Sequence, residues 1–362
     1  MTSSAQIAVI AGTRPEIIKL APVVSLLGDR AFTVHSGQHY DPAMSSDLYP
    51  SLGISPPDVT LNGVGGASRG SQVATAMAQL RSVLEERRPA AVVVQGDTNT
   101  TVAGALAAAF AGIPVIHVEA GLRSFDRLMP EELNRVLAGA AADMHCAATA
   151  FNRAHLLAEA VPATRVVVTG NTIVEATQRV LARLVSTRMR EVADLPAYAL
   201  VTLHRPENVD TPDALRRVWS AVEACELPAL WVHHPRTRPL LSAMGLHSPR
   251  IRFVEPTTHE DFIHLARDAA FLVSDSGGVQ EEASILKKPL LVVRRSTERS
   301  ESITAGFAQL IAPGQDLEAA IAVAAARREP WTARLQDLPS PFGDGHASER
   351  IADIAASYLP GH

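Results

Sequence analysis

Aromatic residues make up only 4% of this 362-residue chain, and there are only two cysteines. Scarce aromatics leave the core to Ala, Val, Leu and Ile. Cys146 and Cys225 lie in no C-x-x-C pair, and two thiols alone build neither a disulfide framework nor a zinc site. They read as small buried hydrophobes in a reducing compartment rather than as a catalytic thiol. Long apolar runs are also missing. Residues 102–110, interrupted by Gly104, fall well short of the roughly 20 residues that span a bilayer. The first six residues carry no basic segment leading into a signal-peptide core, so the expectation is a cytoplasmic chain with no membrane partner. Positive charge is not in excess. A formal net charge of −5 gives no overall attraction to nucleic acid, although it allows a local basic pocket for an anionic small molecule. No H-E-x-x-H or Cys/His ligand spacing occurs, so no metal is expected. There is no P-loop and no G-x-G-x-x-G element either.

What is present is an ordinary globular composition, 47% hydrophobic and 20% charged, at a length that suggests two domains. Short β-branched runs at 7–11, 31–36, 91–95, 115–118 and 166–169 alternate with helix-like stretches at 15–27, 98–111 and 131–139. A long helical stretch is expected over 173–189. Strand-like runs resume at 199–203, 229–233, 251–254, 270–274 and 290–293, with helices over 213–224, 259–266 and 278–286 and a last one over 348–358. Continuous apolar strands alternating with helices predict an α/β chain with two doubly wound parallel sheets. The expected boundary lies near Gly170, giving domains 1–169 and 170–345.

In open α/β sheets, ligands sit beyond the carboxyl ends of the strands, and the polar, Gly-rich segments of this chain fall there. Gly12-Thr13-Arg14-Pro15-Glu16 opens the first helix. Arg14 and Lys19 put two cations near a helix start that favours anions, although a charged cap would look the same. Gln95-Gly96-Asp97-Thr98-Asn99-Thr100 follows a strand, with Asp97 or Thr98 able to serve as an N-cap. His117-Val118-Glu119-Ala120-Gly121-Leu122-Arg123 ends the next, and a carboxylate there must be solvated, paired or functional. Met129-Pro130-Glu131-Glu132-Leu133-Asn134-Arg135 follows. Asp97, Glu119 and Glu131 thus stand on successive loops of one sheet, a pattern suited to acid–base work; three separate helix caps are the alternative. In the second half, His204-Arg205-Pro206-Glu207-Asn208 and His233-His234-Pro235-Arg236 end strands with His and Arg. Ser274-Asp275-Ser276-Gly277-Gly278-Val279-Gln280-Glu281-Glu282-Ala283 turns from strand to helix. Ser276 and the Gly277 and Gly278 amides can receive a phosphate, and Glu282 can reach a ribose diol. Arg299, in Ser296-Thr297-Glu298-Arg299, offers a further guanidinium.

G-T-R-P-E, G-D-T-N-T, H-V-E-A-G-L-R-S, M-P-E-E-L-N-R, T-G-N-T, H-R-P-E-N, S-D-S-G-G-V-Q-E-E-A and T-E-R occur in this order from Ile7 to about Ile351. Taken together they resemble the non-hydrolysing UDP-N-acetylglucosamine 2-epimerases. The resemblance implies a glycosyltransferase-B-type fold, with two Rossmann-like domains facing across a cleft and a final helix, 346–360, returning to the first. It implies catalytic positions at Asp97, Glu119, Glu131 and His204. It implies nucleotide and phosphate positions at Arg14, Lys19, Ser276, Gly277, Gly278, Glu282 and Arg299, with His234 nearby. Many bacterial relatives bind a second UDP-N-acetylglucosamine as an activator, and Gln38-His39 match that stretch. This chain continues with Tyr40-Asp41 where those relatives often have Arg-Glu, and has Ser300 where the family usually has Pro. The implied reaction is C2 epimerisation by elimination and re-addition of UDP, with a UDP-sugar as partner, a homodimer as the assembly, and no cofactor. A hydrolysing relative, an epimerase of a modified UDP-amino sugar and a glycosyltransferase of the same fold share parts of this pattern.

Overall fold

The structure is a computed structural model; it describes residues 5–38, 48–184, 189–233, 237–255, 258–312 and 315–361. The chain divides into two compact units. Unit 1 holds Met1–Ala176 and Phe342–His362, and unit 2 holds Thr177–Pro341. Each is built on one parallel sheet with helices on both faces, so the chain is α/β with two Rossmann-like units.

In unit 1 the strands are β1 (Ile7–Ala11), β2 (Ala31–His35), β3 (Val59–Thr60), β4 (Ala91–Gln95), β5 (Val115–Ala120), β6 (Met144–Ala147) and β7 (Val166–Val168), in the order β3-β2-β1-β4-β5-β6-β7. Strands β1, β4 and β5 are buried along their whole length, as strands covered on both faces must be. Helices α1 (Arg14–Leu27), α2 (Arg69–Arg87), α3 (Asn99–Phe110), α4 (Pro130–Ala141) and α5 (Ala150–Ala158) cover them. Pro15 suits the first turn of α1, and Gly28 ends that helix at φ +54°, a left-handed value that favours glycine. Helix α3 starts from a capping box in which Thr98 and Thr101 each bond the other's backbone N–H. The last helix of the chain, numbered α15 below (Ala347–Ala356), packs on α1, with Ile351 and Ala355 fully buried beside Ile7 and Leu20.

Helix α6 (Ile173–Arg183) leads into unit 2. Its strands are β8 (Ala199–Thr202), β9 (Ala229–Val232), β10 (Ile251–Val254), β11 (Phe271–Ser274), β12 (Leu290–Val293) and β13 (Ala308–Ile311), in the order β10-β9-β8-β11-β12-β13. Its helices are α7 (Pro206–Val209), α8 (Pro212–Glu223), α9 (Arg238–Met244), α10 (His259–Asp268), α11 (Gly277–Leu286), α12 (Ser300–Thr304), α13 (Leu317–Ala326) and α14 (Arg328–Gln336). Two apolar layers sandwich the sheet, one around Trp219 and Trp231, the other around Tyr198, Ile263 and Leu286. Among the described residues no helix is long and apolar enough to cross a membrane.

Three departures from the sequence expectation have a clear physical reason. The helix expected over 173–189 stops at Arg183, and Met189 is already extended (φ −62°, ψ 149°). Strand β6 (M-H-C-A) was not expected, because it carries a histidine and no β-branched residue, so its strand signal is weak. Strand β13 (A-Q-L-I) is likewise short and interrupted by Gln309.

The strand orders locate two switch points. In unit 1 the chain runs outward from β1 through β2 and β3, then restarts at β4 on the other side of β1. In unit 2 the same reversal lies between β8 and β11. Crevices open at such points, beyond the carboxyl ends of the strands.

Candidate active site

At the unit 1 switch point, the loop after β1 meets the start of α3. A Cβ on Gly12 would lie 2.0 Å from Ser36 Oγ and 2.1 Å from Thr100 Oγ1, so only glycine permits this approach. Glu16, buried in the first turn of α1, braces the two loops. Its Oε2 accepts from Gly12 N (3.0 Å) and Thr13 Oγ1 (2.9 Å). Its Oε1 accepts from Thr98 Oγ1 (2.8 Å) and Thr101 Oγ1 (3.2 Å). Burial pushes the Glu16 carboxyl up to about 7, against the pull of these donors. Gln38 joins the same junction, its Oε1 accepting from Thr100 N (2.9 Å) and Thr100 Oγ1 (2.8 Å). His39 lies outside the described residues.

The three acids named from the sequence lie at a strand end (Glu119), in a loop (Asp97) and in the first turn of a helix (Glu131), in three different environments. Glu119 is near the end of β5 at φ +62°, where the pairing with β6 slips by one residue between Val118 and Ala120. Holding a non-glycine residue there costs about 1–3 kcal/mol. The side chain is held in turn: Lys19 Nζ and Gln95 Nε2 each donate to Glu119 Oε2 at 2.6 Å. Both members of the Lys19–Glu119 pair are buried, so Lys19 meets a carboxylate within its own unit. Arg14 begins α1 and is half-buried.

Asp97 follows β4 and is half-buried. Arg135 Nε (2.9 Å) and Nη2 (2.6 Å) both donate to its Oδ2, and Asn134 Nδ2 holds its backbone oxygen at 2.8 Å. Glu131 and Glu132, adjacent in the first turn of α4, have opposite surroundings. Glu132 accepts from Ser124 N, Ser124 Oγ, Phe125 N and Arg135 Nη1. Glu131 has a buried Oε2 with no hydrogen-bond partner. Behind them, His117 Nε2 lies 2.8 Å from Gly96 O, and burial lowers that imidazole to about 4, keeping it neutral.

At the unit 2 switch point the organiser is Asp275, which is fully buried. It accepts from His204 N (3.1 Å), Arg205 N (2.8 Å) and Asn208 Nδ2 (2.9 Å), and His204 Nδ1 lies 3.2 Å from its Oδ1. The loop after β8 is thereby tied to the loop after β11, with the His204 ring one-third exposed. Helix α11 begins after Ser276, whose side chain makes no capping hydrogen bond. The two glycines differ. A Cβ on Gly277 would strike the Arg299 guanidinium at 2.5 Å, whereas one on Gly278 would meet nothing closer than Ser276 Oγ at 4.0 Å. Gly277 makes room for Arg299, and Gly278 faces open space. Arg299 itself is buried between Glu281 (2.7 Å) and Glu298. Glu282 is buried against His259 Nε2 at 2.9 Å. Arg205 is different: it is half-buried, its Nε is buried without a hydrogen-bond partner, and Arg294 is its neighbour. His234 lies outside the described residues.

Several residues that shape the two switch points carried no separate role in the sequence reading: Glu16, Glu132 and Arg135 in unit 1, and Asn208, Asp275 and His259 in unit 2. All but His259 stand inside the motifs quoted above. Their residue types were visible there, but their partners were not. Among the described residues no group of three His, Cys, Asp or Glu side chains is placed to hold a metal ion.

A family model described as UDP-N-acetylglucosamine 2-epimerase matches residues 29–356. The UDP-N-acetylglucosamine 2-epimerase of Methanocaldococcus jannaschii is 36% identical, over 96% of this chain and 98% of that protein. Its crystal structure in complex with UDP-GlcNAc and UDP has a TM-score of 0.87 to this chain, covering 97% of this chain and 99% of that one. A UDP-2,3-diacetamido-2,3-dideoxy-D-glucuronate 2-epimerase of Pseudomonas aeruginosa is 32% identical, over 97% of this chain and 99% of that protein.

Proposed function

The chain belongs to the UDP-N-acetylglucosamine 2-epimerase family, and on that premise we propose that it interconverts UDP-N-acetylglucosamine and UDP-N-acetylmannosamine by epimerisation at C2. The observation that carries the reading is the unequal treatment of the unit 1 carboxylates. Asp97 is pinned by Arg135 through one oxygen, Glu119 is locked to Lys19, and Glu131 has a buried oxygen with no partner. One sheet end thus offers carboxylates in separate environments, which a reaction needing a proton acceptor on one face of a carbon and a donor on the other requires.

The C2 proton is not next to a carbonyl, so direct removal is slow. Elimination avoids this: the C1–O bond breaks with its electron pair leaving on UDP, while the C2 proton passes to a carboxylate, giving a 2-acetamidoglucal. Re-addition of UDP at C1, with protonation of C2 from the other face, gives the manno sugar. The reaction is redox-neutral, so its balance needs no nicotinamide. Asp97 and Glu131 are the acid–base groups in this account. Glu119, held by Lys19 and Gln95, orients its neighbours at this sheet end. In unit 2, the uncapped start of α11 with Ser276 and the open Gly278, together with Arg205, hold the diphosphate, and Glu282 takes the ribose. His204, fixed at Nδ1 by Asp275, presents Nε2 to the departing phosphate. Arg14 supplies a further cation, and Arg299 supports the α11 turn at Gly277.

The Pseudomonas relative supports a second reading, in which the sugar is a diacetamido uronate. Both are tested by incubating the pure protein with each UDP-sugar alone and following the products by NMR. UDP-N-acetylmannosamine from UDP-N-acetylglucosamine is the expected product. Free N-acetylmannosamine with UDP would identify a hydrolase, and turnover of the uronate alone would identify the second substrate.

A homodimer is part of the proposal. Leu133, Val136 and Leu137 form an exposed apolar face on α4, and Phe110 at the end of the neighbouring α3 is 78% exposed. A second copy of this chain is the proposed cover. Light scattering of the wild type should give a dimer mass, and a monomer would contradict it.

A further inference from the structure

We propose that Arg135 is a positioning residue for the acid–base pair: it holds Asp97 by one oxygen, presents the other, and withholds its charge from Glu131. The inference rests on the reading of Asp97 and Glu131 as acid–base groups and adds the residue that makes them unlike.

Arg135 lies in the second turn of α4, and its side chain is only 4% exposed. A buried guanidinium is strongly unfavourable without counter-charge, and here two carboxylates supply it. Nε and Nη2 converge on Asp97 Oδ2 at 2.9 and 2.6 Å, and Nη1 reaches Glu132 Oε2 at 2.8 Å. Two donors of one rigid plane thus hold a single Asp97 oxygen while the third, on Glu132, fixes the plane itself, an arrangement a single ammonium cannot reproduce. Among the described residues Oδ1 of Asp97 takes no hydrogen bond, and a quarter of the side chain is exposed. Asn134, one residue earlier, holds the Asp97 backbone oxygen, so one helical turn secures both main chain and side chain. Through Glu132, which grips Ser124 and Phe125, the same guanidinium links the loop after β5 to the loop after β4.

The spacing makes the omission of Glu131 informative. Glu131 and Arg135 are four residues apart on one helix, the arrangement in which acid and base normally pair. Arg135 instead turns to Asp97 and Glu132, and Glu131 Oε2 stays buried without a hydrogen bond. One acid is held by a cation; the other has a buried oxygen that takes no hydrogen bond.

The experiment compares R135Q, R135K, R135A and D97N, with kcat and KM for UDP-N-acetylglucosamine and calorimetric UDP affinity for each. R135Q should lose about 100-fold in kcat, the cost expected of a reacting group displaced by about 1 Å. Its KM and UDP affinity should stay within about threefold of wild type, a split that a merely structural loss would not produce. R135K, with charge but no fork, should fall between, and guanidinium salt should restore part of the kcat of R135A. If R135Q does not fold, R135K decides alone: reduced kcat at unchanged UDP affinity supports the proposal, and wild-type kcat overturns it. D97N separates the two levels of the account. An inactive D97N beside a fully active R135K and R135Q overturns only the positioning role, whereas an active D97N overturns the reading of Asp97 on which it rests.

Discussion

The two units share one topology at the switch point and each places a buried carboxylate there, Glu16 after the first strand of unit 1 and Asp275 after the fourth of unit 2, yet they brace it with opposite chemistry. In unit 1, Glu16 is held by three hydroxyls and one backbone amide. Hydroxyls donate or accept as they rotate, so this brace tolerates either protonation state. In unit 2, Asp275 is held by two backbone amides, an Asn amide and a His. The amide groups only donate, so they require an acceptor. The cations differ as well. Lys19 of unit 1 is paired with Glu119, while Arg205 of unit 2 has a buried Nε without a partner and lies beside Arg294. The lesson is that a shared fold sets where a ligand can bind, and local pairing sets what each unit offers it: on the proposed function, proton exchange in unit 1 and anion binding in unit 2.

The division of labour breaks most visibly at Asp97. D97N should lower kcat by about a thousandfold or more and leave UDP affinity near wild type; a parallel loss of UDP binding would merge the two roles. R205Q should do the reverse, weakening UDP binding by about 10- to 100-fold, the worth of a charge-assisted hydrogen bond, as read by calorimetry. Matching carboxylate-to-amide changes then compare the braces. D275N sets an NH2 group against fixed N–H donors and should cost about 3 kcal/mol in denaturant unfolding, whereas E16Q at pH 7 should cost well under half of that.

The braces also differ in their response to pH. The folded-state pKa of Glu16 is raised, from 4.5 to about 7, so the unfolded chain releases its proton first as pH rises. Stability from this group is present below pH 4.5 and lost by pH 7, a change of about 3 kcal/mol. His117 is depressed, from 6.5 to about 4. Its contribution is present above pH 6.5 and lost as pH falls to 4. The wild-type minus E16Q stability difference should therefore fall with rising pH, and the wild-type minus H117N difference should rise. Equal slopes would remove the assigned burial of both groups.

The strand ends and their polar loops were legible because each apolar run stops at a Gly-rich or charged turn, as at Gln95-Gly96-Asp97 and Ser274-Asp275-Ser276. What the linear order could not show is pairing. Lys19 reads as an open cation, but its counter-ion Glu119 is 100 residues away in sequence. Arg299 reads the same way, and the fold seats it between Glu281 and Glu298. Glu131 and Glu132 are equivalent on paper. On a helix they point about 100° apart, and only one meets the Ser124 loop. Gly277 and Gly278 are likewise adjacent, but one accommodates a guanidinium and the other faces open space.

The fate of the C2 hydrogen tests the central claim most directly. The protein is incubated with UDP-N-acetylglucosamine alone in D2O, and the product is examined by NMR. The account predicts UDP-N-acetylmannosamine carrying deuterium at C2, because a carboxylate that removes the proton on one face and another that returns one to the opposite face both exchange with solvent. A manno product that keeps its original C2 hydrogen would contradict it.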